Sequence, residues 1–519
     1  MRELRVLIIE DSEIWQEDIF AALEPLHITA TTVTSIEEAA LQSKEMPFDL
    51  ITVDLNLRRF QREDVGRQAR ELVEKLELKG RHRDAGVLIV TGTDLSALGA
   101  PWVNVVLRAR GTAKLLLKKD FKTDVLLGAA REVLREAQWT KIEEGRGGSP
   151  QSTQLDVYVS ATAIQGYRLS GERQSLHLAE KPQEWDPLEL GELGNLVGET
   201  FKEEATEDTV GDRWRPAAVE AGRRVFEALG ADEKLKSALR SALKDSQKGS
   251  LRLQLIGPLE SLAVPFELLH DGSPFPVLNH VMSRSLSLPG TTARPRSASL
   301  VKLLRSLADD RAPVRALLLG AGSSDEVRGE IAAVKATFDE FFHRRLGLPS
   351  PRITALVGGE ATPEKVEQAL VGCHFFHYAG HGFFEPDEPE RSGLLLSDPG
   401  KPRIEVSALD LHDWLQESDV RFAFLNCCVS AKTAAPSSKG DFRGVIDALI
   451  QARVPWILGH RWGAFDFSSE PFARLFYGKL WQSLSPDLAL LGARRLASRG
   501  ALNRNDPIWA SPILVCQGY

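Results

Sequence analysis

Residues 373–382 read CHFFHYAGHG, and residues 421–428 read RFAFLNCC. Each is a short apolar run that ends in a side chain able to do chemistry: His381, followed by Gly382, in the first, and Cys427 and Cys428 in the second. Apolar runs of this length without polar alternation are what a strand buried on both faces requires, and such strands belong to parallel sheets covered by helices. Parallel α/β sheets place their chemistry at the carboxyl ends of the strands. Two neighbouring strands of this kind would therefore bring the histidine and the cysteine to one edge.

Similar runs extend in both directions. VRALLLG (314–320), ITALVG (353–358), PWILG (455–459) and PILVC (512–516) are strand candidates, and helical spacing falls between several of them, so 301–519 is expected to be α/β. Residues 155–300 mix the strand-like LDVYVSA and LRLQLIG with helical patterns at Ala217–Leu229 and Leu235–Leu243. Residues 138–154, QWTKIEEGRGGSPQSTQ, are polar, with three glycines and a proline, and are expected to form a linker. Residues 1–137 again alternate, with apolar runs at Leu4–Ile9, Leu50–Val53, Val87–Val90 and Leu115–Leu117, and helical spacing at Ile14–Leu23 and Val65–Leu76. No short-period repeat is present, so a solenoid is not expected.

Composition narrows the function. A chain of 519 residues is long enough for two to four domains. Its net charge of −8 gives no electrostatic reason to bind nucleic acid, and Arg81-His82-Arg83 is a short cluster suited to a solvated loop. No apolar stretch reaches membrane-spanning length. The opening MRELRVLII runs into a folded pattern without a secretory cleavage site. The four cysteines, Cys373, Cys427, Cys428 and Cys516, suit a reducing, cytoplasmic setting. No CxxC or HExxH occurs, which disfavours structural zinc. His374, His377 and His381 could be drawn as a metal cluster, but strand positions three apart point to opposite faces.

Carboxylates sit at the strand ends of the first region: Glu10 and Asp11 after the first run and Asp54 after the second. Thr91 follows the third and Lys118 the fourth. Carboxylates converging on one edge repel one another unless a cation joins them, and Mg²⁺ is the usual hard-oxygen partner. A screened Asp54 could accept a phosphoryl group as an acyl phosphate, with Thr91 donating to the phosphoryl oxygens and Lys118 neutralising them. RVLIIEDS, LITVDLNL, VLIVTGT and LLLKKDF together resemble the receiver domain of response regulators. The resemblance implies a flavodoxin-like fold, Asp54 as phosphoacceptor, and Mg²⁺ held by Glu10, Asp11, Asp54 and the backbone carbonyl of Asn56. It also implies a sensor histidine kinase as partner. Leu115 stands where such domains usually carry an aromatic residue, and Lys118-Lys119 stands for their Lys-Pro.

The second region has its own chemistry. A thiol near its free pKa is mostly protonated at neutral pH, and the thiolate is the nucleophile. A nearby imidazole takes that proton and later protonates the leaving amine. The backbone N–H groups of Gly382 and Cys428 would suit an oxyanion hole. From His381 to Cys428 is 47 residues (428 minus 381), close to the roughly 50 noted for caspases. HYAGHGFF, SGLLLSD, LNCCVSAKT, GHRWGAFD, FARLFYGKLW and DPIWASPILV, in that order, resemble the CHAT domain, a caspase-like family related to separases. The upstream LRLQLIGPLESLAVPFELLHDG resembles the part that precedes the family's catalytic half, with Phe266 in place of a tryptophan.

This second resemblance implies a caspase-like α/β fold whose first half, 155–300, is non-catalytic and whose second half, 301–519, carries the site. It implies His381 and Cys428 as the catalytic pair, with Cys427 where the family has alanine. Asn426, Trp462 and Asp466 are candidates for the substrate pocket. Cys373 and Cys516 lie within apolar runs and are expected in the core. The expected function is a phosphorylation-regulated cysteine endopeptidase acting on a protein substrate, without a cofactor of its own and able to form homo-oligomers. The alternative is a non-enzymatic adaptor that keeps the caspase-like shape to bind partners. A DNA-binding regulator finds no helix-turn-helix or basic surface.

Overall fold

The computed structural model describes residues 4–54, 75–76, 85–92, 113–147, 154–160, 163–170, 176–184, 186–204, 213–229, 233–245, 251–272, 275–286, 300–322, 324–344, 349–385, 387–396, 404–427, 444–462, 466–501 and 507–517. The chain divides into two compact units, one over Met1–Arg146 with His343–Leu348 and one over Gly147–Phe342 with Pro349–Tyr519.

The first unit is built on five parallel strands: β1 (Leu4–Ile9), β2 (Ile28–Val33), β3 (Leu50–Val53), β4 (Gly86–Thr91) and β5 (Ala113–Leu117). Their order is β2-β1-β3-β4-β5, the flavodoxin-like doubly wound order. Successive residues of β1 face opposite cores. Leu7 and Ile9 pack with Ile51, Val53, Val87 and Ile89, whereas Val6 and Ile8 pack with Leu50, Leu88 and Val90. Two covered faces are why these strands read as unbroken apolar runs. Strand β2, ITATTV, is half exposed along most of its length, as befits an edge, and its polar threonines hid it from a search for apolar runs. The helix Thr123–Gly147 extends ten residues into the segment expected as linker, residues 148–153 lie outside the described residues, and a strand begins at Gln154. The helical expectation at Val65–Leu76 also falls almost wholly outside them.

The second unit contains one sheet of eleven strands. In chain order they are β6 (Gln154–Val159), β7 (Ala163–Ser170), β8 (Leu176–Glu184), β9 (Arg252–Gly257), β10 (Val281–Leu286), β11 (Arg315–Gly320), β12 (Arg352–Val357) and β13 (Phe375–Ala379). After a separate three-stranded ribbon of β14 (His381–Phe383), β15 (Gly393–Leu395) and β16 (Glu405–Ser407), the large sheet resumes with β17 (Phe422–Asn426), β18 (Trp456–His460) and β19 (Pro512–Cys516). The order is β12-β11-β13-β17-β18-β19-β10-β9-β6-β7-β8. The strands of 301–519 thus form one side of the sheet and those of 154–286 continue it. At the seam between them, β10 pairs in parallel with β19 at Arg284↔Val515.

A charged cluster braces this seam. Arg284 is 1% exposed. Its guanidinium donates to both oxygens of Glu267 and to the carbonyls of Ser261 at 2.8 Å and Val264 at 2.6 Å. Arg461 donates to the carbonyls of Ala263 and Val264. Burial lowers the pKa of Arg461 to about 9 and that of Arg494 to about 10. The PFEL segment (265–268) that stood out in the sequence therefore supplies the buried counter-charge, Glu267.

Candidate functional site

In the first unit, Glu10 and Asp54 are buried and Asp11 partly so, and each offers an oxygen within 4.8 Å of the others. Lys118 reaches both buried acids, 2.7 Å from Glu10 Oε2 and 2.8 Å from Asp54 Oδ2, whereas Lys119 is exposed. Thr91, the last residue of β4, is fully buried. Burial, with Asp54 nearby, raises the pKa of Glu10 even though Lys118 opposes the shift. Oxygen ligands at this spacing suit a hard divalent cation. Asn56 lies outside the described residues. Leu115 packs into the core beside β4. On the other side of the cluster, the Lys118 ammonium lies 4.8 Å from the centre of the Trp15 ring.

In the second unit, β13 and β17 are parallel neighbours with Ala379 opposite Asn426. His381 stands two residues beyond the first of that pair, and Cys428 is two residues beyond the second in sequence. Cys428 itself lies outside the described residues. His381 is partly exposed and begins β14, with Gly382 opposite Leu394. Its backbone is clamped from below: the hydroxyl of the fully buried Tyr378 lies 2.7 Å from the carbonyl oxygens of both His381 and Leu395. Gly380 makes the turn at φ +157°, and a Cβ there would sit 2.7 Å from the Tyr378 hydroxyl and 2.8 Å from Ala321 Cβ. Only glycine lets the chain pass this close.

Beneath the edge runs a buried hydrogen-bonded chain. Asn426 donates from Nδ2 to Glu330 Oε1 at 2.6 Å and to the Ser469 carbonyl at 3.2 Å. Its Oδ1 accepts from His460 Nε2 at 2.8 Å. Glu330 Oε1 also meets His377 Nε2 at 3.0 Å. His377 Nδ1 has no partner among the described residues, so the proton belongs on Nε2, facing the carboxylate. His374 instead accepts the Arg315 N–H on Nδ1. The three histidines drawn together in sequence thus serve three different neighbourhoods.

A cleft of about 140 Å³ opens above this chain. Glu330, Gly380, His381 and Asn426 are among the residues that line it. Asn426 is therefore at the cleft, although its amide is already engaged. Trp462 is not among the lining residues. It is buried, with its Cβ against Gly198 of the helix Pro187–Glu204. Asp466 begins the helix Asp466–Ser483. Cys427 is 2% exposed within the core, and burial pushes the Cys373 thiol up to about 12, so neither suits a nucleophile. Tyr378, Glu330 and His460 were not singled out in the sequence, and nothing in the pattern of a single chain marks them.

His460 makes acid stability testable. Burial, reinforced by Arg494, lowers its pKa to about 3 from an ordinary 6.5. Above pH 6.5 both folded and unfolded chains leave it uncharged. As pH falls from 6.5 toward 3, the unfolded chain binds a proton that the folded one refuses, so stability is lost at about 1.4 kcal/mol per pH unit. Denaturant melts at pH 7.5 and 5 should show this loss in the wild type. If His460→Gln does not reduce the pH dependence, the assignment is wrong.

A family model described as CHAT domain matches residues 219–518. No curated protein matches the chain. Among solved structures, it is similar to a response regulator protein from Burkholderia pseudomallei with a phosphorylated aspartic acid, calcium ion and citrate, at 20% identity over 29% of this chain and 78% of that one (TM-score 0.21). A response regulator from Thermotoga maritima shares 19% identity over 25% and 98% of the two chains (TM-score 0.21). The signal receiver domain of a putative Luxo repressor protein from Vibrio parahaemolyticus shares 21% over 28% and 98% (TM-score 0.22).

Proposed function

From the premise that this chain belongs to the CHAT domain family, we propose that it is a caspase-like cysteine endopeptidase regulated through phosphorylation of its receiver-like N-terminal unit. What carries the proposal is the register Ala379↔Asn426. Two parallel strands end side by side, and strands in a sheet lie about 4.8 Å apart. The chain continues two residues from each to an imidazole and a thiol, a path that would bring His381 and Cys428 toward one rim beside the cleft. His381 would take the Cys428 proton, the thiolate would attack the scissile carbonyl, and the imidazolium would protonate the leaving amine. The N–H groups of Gly382 and Cys428 would hold the oxyanion.

In the N-terminal unit, Asp54 is the proposed phosphoacceptor. Glu10, Asp11, Asp54 and the Asn56 carbonyl would hold Mg²⁺, which supplies charge screening when bound. Lys118, now shared between Glu10 and Asp54, would turn to the phosphoryl oxygens, and the Thr91 hydroxyl would donate to them. A sensor histidine kinase would supply the phosphate, and the change would bias a two-state equilibrium in the peptidase unit.

The decisive experiment compares peptides cut in the native cell's proteins by wild type and by Cys428→Ala, each with and without acetyl phosphate and Mg²⁺. Cuts unique to the wild type, with a yield that depends on phosphodonor and is insensitive to it in Asp54→Ala, are expected. Equal cutting by Cys428→Ala would remove the catalytic assignment. An unaltered phosphodonor response in Asp54→Ala would remove the regulatory one.

A further inference from the structure

Resting on the peptidase assignment, we infer that the cleft beside His381 is the pocket for the residue N-terminal to the cut, and that Glu326 and Glu330 make it select arginine or lysine. The cleft, about 140 Å³, lies between the end of β11, the start of the helix Asp325–Arg344, and the ends of β13 and β17. A cavity of ~150 Å³ holds one benzene-sized group, so the space suits one side chain. Ala321 and Val327 give it apolar wall. Glu326 and Glu330, also among its lining residues, are four positions apart and so share one face of the helix.

The two acids differ in setting. Glu326 is exposed, at the mouth. Glu330 is 3% exposed. Its Oε1 already takes the Asn426 and His377 protons, while its Oε2 has no hydrogen bond among the described residues. No lysine or arginine among those residues forms an ion pair with either glutamate.

A carboxylate oxygen that is shut off from water and given no donor is costly. An apolar side chain filling the cleft would exclude water from Glu330 and return nothing, and an acidic one would be repelled. An arginine or lysine can lay its aliphatic stem along Val327 and Ala321 and bring its cationic head to the carboxylates. Its backbone carbonyl would then lie at the rim that carries His381.

The test uses the full-length protein with Mg²⁺ and acetyl phosphate. It is offered thiol-reactive peptide acyloxymethyl ketones identical except for Arg, Lys, Leu or Asp next to the warhead, and labelling of Cys428 is followed by intact mass, with Cys428→Ala as control. The Arg or Lys probe should label at least about tenfold faster than Leu, and Asp slowest. Glu326→Gln and Glu330→Gln should each shrink the Arg-to-Leu ratio. If Glu330→Gln does not fold, Glu326→Gln, at an exposed position, decides. Faster labelling by Leu or Asp, or an Arg-to-Leu ratio unchanged by the substitutions, overturns the inference and leaves the peptidase assignment standing. Failure of every probe to label Cys428 overturns both.

Discussion

Alanine in place of His381 should lower kcat/KM for peptide cleavage by about 10²- to 10⁴-fold and leave the fold intact. The two halves of that expectation have separate causes. The backbone path at this point is fixed by Tyr378, whose hydroxyl meets the His381 carbonyl, and by Gly380, whose turn admits no side chain. The imidazole takes no part in either. Because His381 is partly exposed, its removal leaves no buried void. The expected catalytic loss is large because, on the proposed mechanism, two proton transfers would fail together. A cysteine without a basic partner ionises only near its free pKa of about 8.5, and the leaving amine departs without an acid. The residual rate of His381→Ala should therefore climb with pH through the range in which the bare thiol ionises. Steady-state kinetics from pH 6 to 9, together with a thermal melt, read both effects. A variant that melts normally and cuts within a few-fold of wild type would show that His381 is not the base.

The position of His381 just past a sheet strand could be read from the sequence because that strand is buried on both faces. Such strands leave apolar runs, and the residue after the run is at the chemical edge whatever the rest of the fold does. The same logic placed Glu10, Asp54, Thr91 and Lys118 at strand ends. It failed where a residue's role depends on what packs against it. Glu330 sits on a helix rich in charge and reads as solvated surface, yet it is 3% exposed because Asn426 and His377 from the adjoining strands meet it. His460 reads as the polar end of an apolar run, and only the sheet places it against Asn426. Strands β7 and β8, AIQGYRLS and LHLAEKPQE, lie at the end of the sheet, where one strand has a single neighbour and polar residues are tolerated. The helix that extends to Gly147 carries the glycines and charges expected of a linker, and local composition was a poor guide to where it stops.

Glu267→Ala should cost the second unit about 3–5 kcal/mol, a large share of the roughly 5–15 kcal/mol that holds a typical domain folded. Glu267 is 2% exposed. Burial by itself would raise its pKa, but Arg284, Arg461 and Arg494 outweigh that and hold it below the ordinary carboxylate range. The carboxylate takes two hydrogen bonds from Arg284, and Arg461 Nη2 lies 3.7 Å from it. The carbonyls of residues 261–264 satisfy donors but carry no net charge. Without Glu267, the buried guanidiniums of Arg284, Arg461 and Arg494 have no carboxylate paired with them among the described residues, beside the Arg284↔Val515 pair that links β10 to β19. The damage should therefore appear first at that seam. Hydrogen exchange should rise in β9, β10 and β19 while β1–β5 keep their protection, and Glu267→Gln, which keeps the shape and loses the charge, should also be unstable. Replacing Arg284 and Glu267 together by methionine and leucine should cost less than Glu267→Ala alone, because one guanidinium leaves with the carboxylate and only Arg461 and Arg494 stay behind. If Glu267→Ala melts within about 1 kcal/mol of wild type in denaturant, the cluster is not what joins the two halves of the sheet.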